Sequence, residues 1–540
     1  MRKILLLTAL FCLSASAQPD ISFRQIFKQN PSRSDNHPPQ GASSYGDLLF
    51  QFYDSAPSIG VFSISEGKFL ESIPLQGRKT WHCNSVCVSS FFYAKGDALP
   101  LLYVSQEHRD EHRICVLRIS GDAGARKADV VQTITLPKPI EMGVWYPNVA
   151  LDLQALRLYV TGYSRESWNK PSDGNAIQIL GFGLPMPFDT EVKLCVSDII
   201  SRNVFDFRLA TQGAAIRNGK LYQSYGMAEN AALRCYDLAS GSLEWTVELG
   251  GTGWFGEPEG LFFNNGDLCM VNVSGVVFRS SFRCPWRIPD ELEKTAPGFA
   301  SGQKKKLVCM DLDATLTQHR TPLEKRNREA LTLLCNHYDA VMICAGNVPR
   351  VRRQMEDFPI AIVGNYGMQV GEDVNGKLVI TKQLTIPADT AFFLEKTNYL
   401  RKKYGYTSYK GDPVEFHAAG MVTFSLLGNK GGMAEKLVFD PDKAKRRAMY
   451  PEVLEIFKDY SVYIGGSSSF DFTPSQFNKY DASLDYARGL GYGLADIIFI
   501  GDDLDDGGGD SHVRIKGMDY IRVYDYKLFP EMAAPLFLPE

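Results

Sequence analysis

Two rhythms of apolar and polar positions divide the chain. From about residue 45 to 285, apolar residues alternate with polar ones in short runs broken by Gly, Asn, Asp and Ser. That pattern predicts half-buried strands joined by tight turns. Five runs resemble one another, GDLLFQFYD, LLYVSQE, RLYVTGY, GKLYQSYG and GDLCMVNVSG, at irregular intervals of about fifty residues. Several lead into a second strand, a turn and a third, as in RCYDLASGSLEWTVEL. Four-stranded units repeated at this period bury their faces only against their neighbours, so residues 18–285 are predicted to form an all-β, propeller-like domain. A β-sandwich or an irregular all-β domain is the alternative.

Residues 286–304, WRIPDELEKTAPGFASGQK, break the alternation with Pro, Gly and charge and read as a linker. Beyond it, continuous apolar runs alternate with helical periodicity: KLVCM, then LEKRNREALTLLCNHY, then AVMICAG, and later ADIIFIGDD. Buried strands alternating with helices predict an α/β domain over residues 305–540, with a parallel sheet covered on both faces. Ligands bind such sheets at the carboxyl ends of the strands. Asp311, Ala345 and Asp502 each follow such an end and are expected to share one crevice.

The first residues follow a third pattern. Arg2 and Lys3 precede the apolar run ILLLTALFCL, and SASAQPD follows with small residues at Ala15 and Ala17. This is the form of a Sec signal peptide spanning residues 1–17, cut before Gln18, and it predicts export to the periplasm or beyond. No later stretch holds the ~18 uninterrupted apolar residues of a membrane span. Composition adds only exclusions: 540 residues exceed one hydrophobic core, and a net charge of −4 does not suit a nucleic-acid binder. Of eleven cysteines, Cys12 leaves with the leader; Cys83 and Cys87, in WHCNSVC, are the first candidates for a disulfide.

Chemistry concentrates in KLVCMDLDATLTQHRTP. Asp311, fixed at a strand end, suits nucleophilic attack on phosphorus to form an aspartyl-phosphate. Asp313, two residues on, points to the same side and suits proton transfer to the leaving oxygen and from water. Both tasks need a cation, because carboxylate and phosphate repel; Mg²⁺ suits a site of carboxylates, water and phosphate oxygens. A second acidic cluster, GDDLDDGGGD, holds Asp502, Asp503, Asp505, Asp506 and Asp510, out of register for a calcium-binding EF-hand loop. Lys479, in QFNKYDA, is a candidate cation for the nucleophile and the phosphate.

DLDATLT, NKYDA and GDDLDDGGGD occur in the order of motifs one, three and four of the haloacid dehalogenase superfamily. With NYGMQV, NGKLV, VEFHAAGMVTFSLLGN and IGGSSSFDFTP, residues 305–526 resemble that superfamily's subfamily IIB, in its eukaryotic-type phosphomannomutase branch. The resemblance implies an α/β core with an inserted α/β cap at about residues 366–465. It implies Asp311 as nucleophile, Asp313 as acid and base, and Lys479 as the phosphate-neutralising lysine. It places Mg²⁺ on Asp311, the Asp313 carbonyl and Asp502, with Asp510 near, and substrate at Arg320, Ser469 and Asp471.

Three departures from the family pattern stand out. Motif two, ICAGNVPR, has Ala345 and Gly346 where a Ser or Thr hydroxyl meets the phosphate, and Asn347 is the candidate substitute. Ala314 replaces a glycine. The arginines that clamp a distal phosphate are replaced by Lys410, His417 and Asn429, beside Lys430. The expected activity is hydrolysis of a sugar phosphate or similar small phosphomonoester. The alternatives are a phosphohexomutase, or a weak enzyme scaffold joined to a propeller that binds a glycan or a protein. In the N-terminal half, His108 and His112 in HRDEH have a metal-ligand spacing only on a helix and read instead as a hairpin turn, while GWFGEPEG, with Trp254, Glu257 and Glu259, reads as a tight turn with a packed Trp in preference to a glycan-binding loop.

Overall fold

The computed structural model describes residues 18–29, 37–54, 56, 58–75, 82–106, 112–164, 176–207 and 209–538. The predicted leader and His108 lie outside these residues. One compact unit runs to Arg287, and a second spans Ile288–Phe537. No helix among the described residues is long and apolar enough to cross a membrane.

The first unit is built of antiparallel sheets. In chain order their opening strands are Pro39–Tyr45, Val86–Val88, Trp145–Asp152, Thr211–Arg217 and Pro258–Asn264. Each of the five similar sequence runs forms the second strand of one sheet: Leu48–Tyr53, Leu102–Gln106, Arg157–Tyr163, Lys220–Tyr225 and Asp267–Asn272. The fifth sheet takes its outer strand from the other end of the unit, Phe23–Lys28 pairing antiparallel with Val276–Arg283. The alternation pattern begins near residue 45 and did not register this strand.

Opening strands abut closely enough to exclude side chains. A Cβ on Gly260 would stand 2.6 Å from the Ala42 Cβ, one on Gly213 2.6 Å from the Leu261 nitrogen, and one on Gly41 3.0 Å from the Ser85 backbone. The Val149 amide donates to Ser85 Oγ at 2.6 Å, and Gln223 Nε2 donates to Thr161 Oγ1 at 2.7 Å. Sheets one to five therefore pack in order, and the fifth packs on the first. Tyr222 of the fourth sheet meets Trp245 of its own sheet and Phe263 and Phe282 of the fifth at ring separations of 5.9, 5.2 and 5.5 Å. Aromatic contacts of this kind add about 0.5–1.5 kcal/mol each beyond burial.

All ten cysteines among the described residues are free thiols, Cys83 and Cys87 included. Both are buried, and the Cys87 thiol donates to the Val149 carbonyl at 3.0 Å. Trp254 is buried against Phe23 and Phe278, its Nε1 donating to the Gly256 carbonyl at 2.9 Å. It packs the core rather than offering a stacking face. Glu259 is buried, and Glu257 accepts from Gln212 Nε2 at 2.8 Å.

The second unit has a seven-stranded sheet in the order 377–383, 369–374, 361–364, 339–343, 307–310, 497–501 and 520–522. Its last five strands are parallel, and an antiparallel hairpin extends one edge. Leu307–Met310 lies at the centre, every side chain buried, which is why its sequence is continuously apolar. A separate four-stranded sheet, in the order 414–416, 422–425, 469–474 and 460–463, packs against helices Thr390–Tyr404 and Ala444–Ile456. This is the cap. Its core centres on Phe393, Phe457 and Phe472. The linker segment contributes two short helices, Asp290–Thr295 and Pro297–Ala300, the second held by Asp519 through the Phe299 amide at 2.8 Å.

Candidate active site

Two strand ends and one helix start converge above the sheet. Asp311 follows Leu307–Met310, and its amide donates to the Ile500 carbonyl of the neighbouring strand at 2.9 Å. Asp502 follows Ile497–Gly501 and accepts from Thr315 Oγ1 at 3.0 Å. Lys479 opens helix Lys479–Gly489, whose start is fixed by Asn478 Oδ1 accepting from the Asp481 amide at 2.9 Å. Only 2% exposed, Lys479 places its Nζ 2.7 Å from Asp311 Oδ1 and 2.7 Å from Asp510 Oδ1.

One oxygen each from Asp311, Asp502 and Asp510 falls within 4.8 Å of the others. Three carboxylates around a single ammonium leave net negative charge in a buried place. Burial pushes the Asp311 carboxyl up to about 7, offset in part by Lys479 and reinforced by Asp510. Asp502 is raised well above the usual carboxylate range by burial and then by Asp510 and Asp311. A small divalent cation relieves that repulsion, and an all-oxygen donor set suits Mg²⁺.

Asp313 has different company. Its Oδ1 accepts from the Arg320 amide at 2.7 Å and Gln354 Nε2 at 2.8 Å, and its Oδ2 from Arg350 Nη2 at 3.1 Å. Burial opposes ionisation, yet Arg350, His319 and these hydrogen bonds outweigh it and hold the carboxyl down at about 2. Next to it, Ala314 sits at φ 67°, in the left-handed region where a Cβ is strained. Replacing Ala314 with Gly should therefore raise stability by about 0.5–1 kcal/mol, strain relief outweighing the added freedom of the unfolded chain. Urea titration of the two proteins measures it; an unchanged or lower midpoint contradicts the strain.

The other sequence candidates spread over core and cap. Asn347 caps helix Val348–Gln354, its Oδ1 accepting from the Arg350 amide at 2.9 Å. Lys410 is exposed and pairs with Glu435 at 2.8 Å. Ser469 Oγ donates to the Gly465 carbonyl at 3.1 Å. Asp471 accepts from Thr423 Oγ1 at 2.9 Å, and burial raises its carboxyl against the pull of Thr423, His417 and Arg320. Asp503 closes its own loop through the Gly509 amide at 2.9 Å and meets Lys443 of the cap at 2.5 Å. Asp505 and Asp506 pair with Arg522 and Arg514, away from the three clustered carboxylates.

Sequence reasoning passed over four residues. Arg350 and Gln354 hold Asp313 from the helix after motif two. His319 stands 3.9 Å from Asp313 Oδ1. Lys436 lies within electrostatic reach of Arg320 and His319, and burial and then Arg320 hold its ammonium below the usual lysine range. The available signal was the cation-rich helix VPRVRRQ, one turn beyond the strand end at Cys344.

Buried parallel strands ending in aspartates, with a lysine from a capped helix between them, make the second unit similar to haloacid dehalogenase-like hydrolases. The model of that family matches residues 308–507. Among solved structures, the chain is similar to an IMP-nucleotidase of Plasmodium falciparum at 12% identity, covering 45% of this chain and 72% of that one, with a TM-score of 0.35. It is similar to a haloacid dehalogenase-like hydrolase of B. subtilis at 14% identity, covering 43% and 99%, with a TM-score of 0.30. A trehalose-6-phosphate phosphatase of Aspergillus fumigatus matches at 12% identity, covering 46% and 97%, with a TM-score of 0.28. No curated protein matches the sequence.

Proposed function

We propose that this is an exported Mg²⁺-dependent phosphatase acting on a sugar phosphate or similar small phosphomonoester. The observation that carries the reading is Lys479 bridging Asp311 and Asp510 at 2.7 Å each, with Asp502 completing a carboxylate triad that one ammonium cannot neutralise. Asp311, Asp502 and the Asp313 carbonyl would hold the metal, with Asp510 supporting; when bound it screens the charge between nucleophile and phosphate.

The side chains divide the chemistry. The Asp311 carboxylate attacks phosphorus, forming a P–O bond to its own oxygen as the bond to the leaving oxygen breaks. Asp313, held as a carboxylate by Arg350 in the free protein, acts as acid only after taking up a proton on substrate binding; it gives that proton to the leaving oxygen and then as carboxylate takes one from the water that hydrolyses the aspartyl-phosphate. Lys479 neutralises Asp311 and then the phosphoryl oxygens. Arg320 and Asp471 face each other electrostatically where core and cap meet, which supports recognition of a hydroxylated substrate there.

Hydrolysis is favoured over mutase chemistry by the state of the distal clamp. Lys410 is committed to Glu435, and the Asn429 amide group to Asp412 and Glu415. For the first unit we infer a five-bladed propeller that presents a glycan- or protein-binding face. Its support is the cyclic packing of the five sheets and the closure of the fifth by Phe23–Lys28.

The test is hydrolysis of p-nitrophenyl phosphate and a panel of sugar phosphates by the mature protein. Turnover should fall at least ~100-fold when EDTA replaces Mg²⁺. Turnover indifferent to EDTA, or none on any substrate by a folded protein, rejects the reading and favours a binding scaffold.

A further inference from the structure

Neither Ala345 nor Gly346 offers a hydroxyl at the strand end before helix Val348–Gln354, and the space above Gly346 is filled. A Cβ built on Gly346 would lie 2.1 Å from Arg350 Nη2, 2.4 Å from its Nε and 2.6 Å from its Cζ. No side chain fits there while Arg350 holds this position. The guanidinium thus fills the volume that a side chain at 346 would take.

Arg350 is also oriented. Its Nη2 donates to Asp313 Oδ2 at 3.1 Å, and its Nη1 to Gln354 Oε1 at 3.2 Å. A guanidinium carries five N–H donors. Two are used in this way, leaving three without a protein acceptor among the described residues. The side chain is 28% exposed, so an anion arriving beside Asp311 and Asp313 can reach those donors.

We propose that Arg350 takes over the phosphate contact of the absent motif-two hydroxyl, donating charge-assisted hydrogen bonds to phosphoryl oxygens from above Gly346. The assignment rests on the phosphatase reading of the site and makes its motif two altered rather than degenerate. A charged fork binds phosphate more strongly than one neutral hydroxyl. It also keeps Asp313 and the phosphate attached to one rigid group.

The full mature chain tests this with Arg350→Ala, Arg350→Lys, Gly346→Ser and the double variant Gly346→Ser/Arg350→Ala. Two readouts apply: Mg²⁺-dependent binding of inorganic phosphate by calorimetry, and kcat and KM on p-nitrophenyl phosphate. Arg350→Ala should weaken phosphate binding roughly 10- to 100-fold, the range of a lost charge-assisted hydrogen bond. Gly346→Ser alone should also weaken it, by displacing the guanidinium. The double variant should bind better than either single, because the restored hydroxyl then has room. Arg350→Lys should fall between wild type and Arg350→Ala, and it carries the test if the alanine variant fails to fold.

Phosphate binding by Arg350→Ala equal to wild type overturns the proposal, as does a double variant no better than Arg350→Ala. A folded wild type that neither binds phosphate nor turns over substrate removes the phosphatase reading first, and this proposal with it.

Discussion

Asp311→Asn should reduce turnover at least ~1000-fold while leaving the metal-free protein as stable as wild type or more so. The loss of turnover follows from chemistry, since a neutral amide does not form the acyl-phosphate bond. The stability follows from crowding. Asp311 is buried beside Asp510, Asp502 and Asp313, and its carboxyl is pushed from 3.8 up to about 7 in the folded state. Between these values the native protein retains a proton that the unfolded chain has released. Stability contributed by this group therefore falls as pH rises from about 4 to about 7 in EDTA, and stays low above that. The Asn variant lacks that decline. Melting temperature against pH, in EDTA, for both proteins reads it directly. A variant melting well below wild type at pH 7 would mean that Asp311 holds the fold rather than the chemistry.

The second large effect belongs to the cap. Arg446 and Asp440 are 1% and 0% exposed at their side chains, with Nε 2.8 Å from Oδ2. Arg446 Nη1 also donates to the carbonyls of Gly465, Gly466 and Ser469 at 2.7, 3.0 and 3.2 Å. It therefore ties helix Ala444–Ile456 to the loop that presents Ser469. Arg446→Met should destabilise the second unit by about 3–5 kcal/mol, because it strands Asp440 as an unpaired buried carboxylate. Urea unfolding followed by intrinsic fluorescence measures the loss. Adding Asp440→Leu should recover part of it, because no charge then remains unpaired; no recovery would show that the carbonyl contacts carry the cost. For Asp440, burial raises the carboxyl, but Arg446 and two backbone amides outweigh it and leave it below 3.8. Its stabilisation is present above that value and lost as pH falls further.

Much of the second unit was legible because each of its candidate site residues is tied to a local feature. A continuously apolar tetrapeptide in an alternating strand–helix pattern suits a strand buried on both faces, so LVCM located where Asp311 stands. IIFIG did the same for Asp502. In the first unit, the recurring apolar-rich runs located the second strand of every sheet, although these strands are buried on both faces rather than half-buried as the alternation predicts. The short opening strand Val86–Val88 and the distant closing strand Phe23–Lys28 were not legible: one has too few residues to show a period, and the other pairs across most of the unit.

The sequence by itself determined the identity and order of the acidic groups, the lysine among them and the absence of a motif-two hydroxyl. Only the tertiary structure decided what stands in the place of that hydroxyl. Arg350 is four residues from Gly346, yet it matters because its side chain folds back across a helix start to an aspartate 37 residues away in sequence. Such contacts depend on where strand ends and helix starts meet in space. Residue order along the chain carries no record of that meeting, because burial and charge are properties of neighbours that the fold alone brings together.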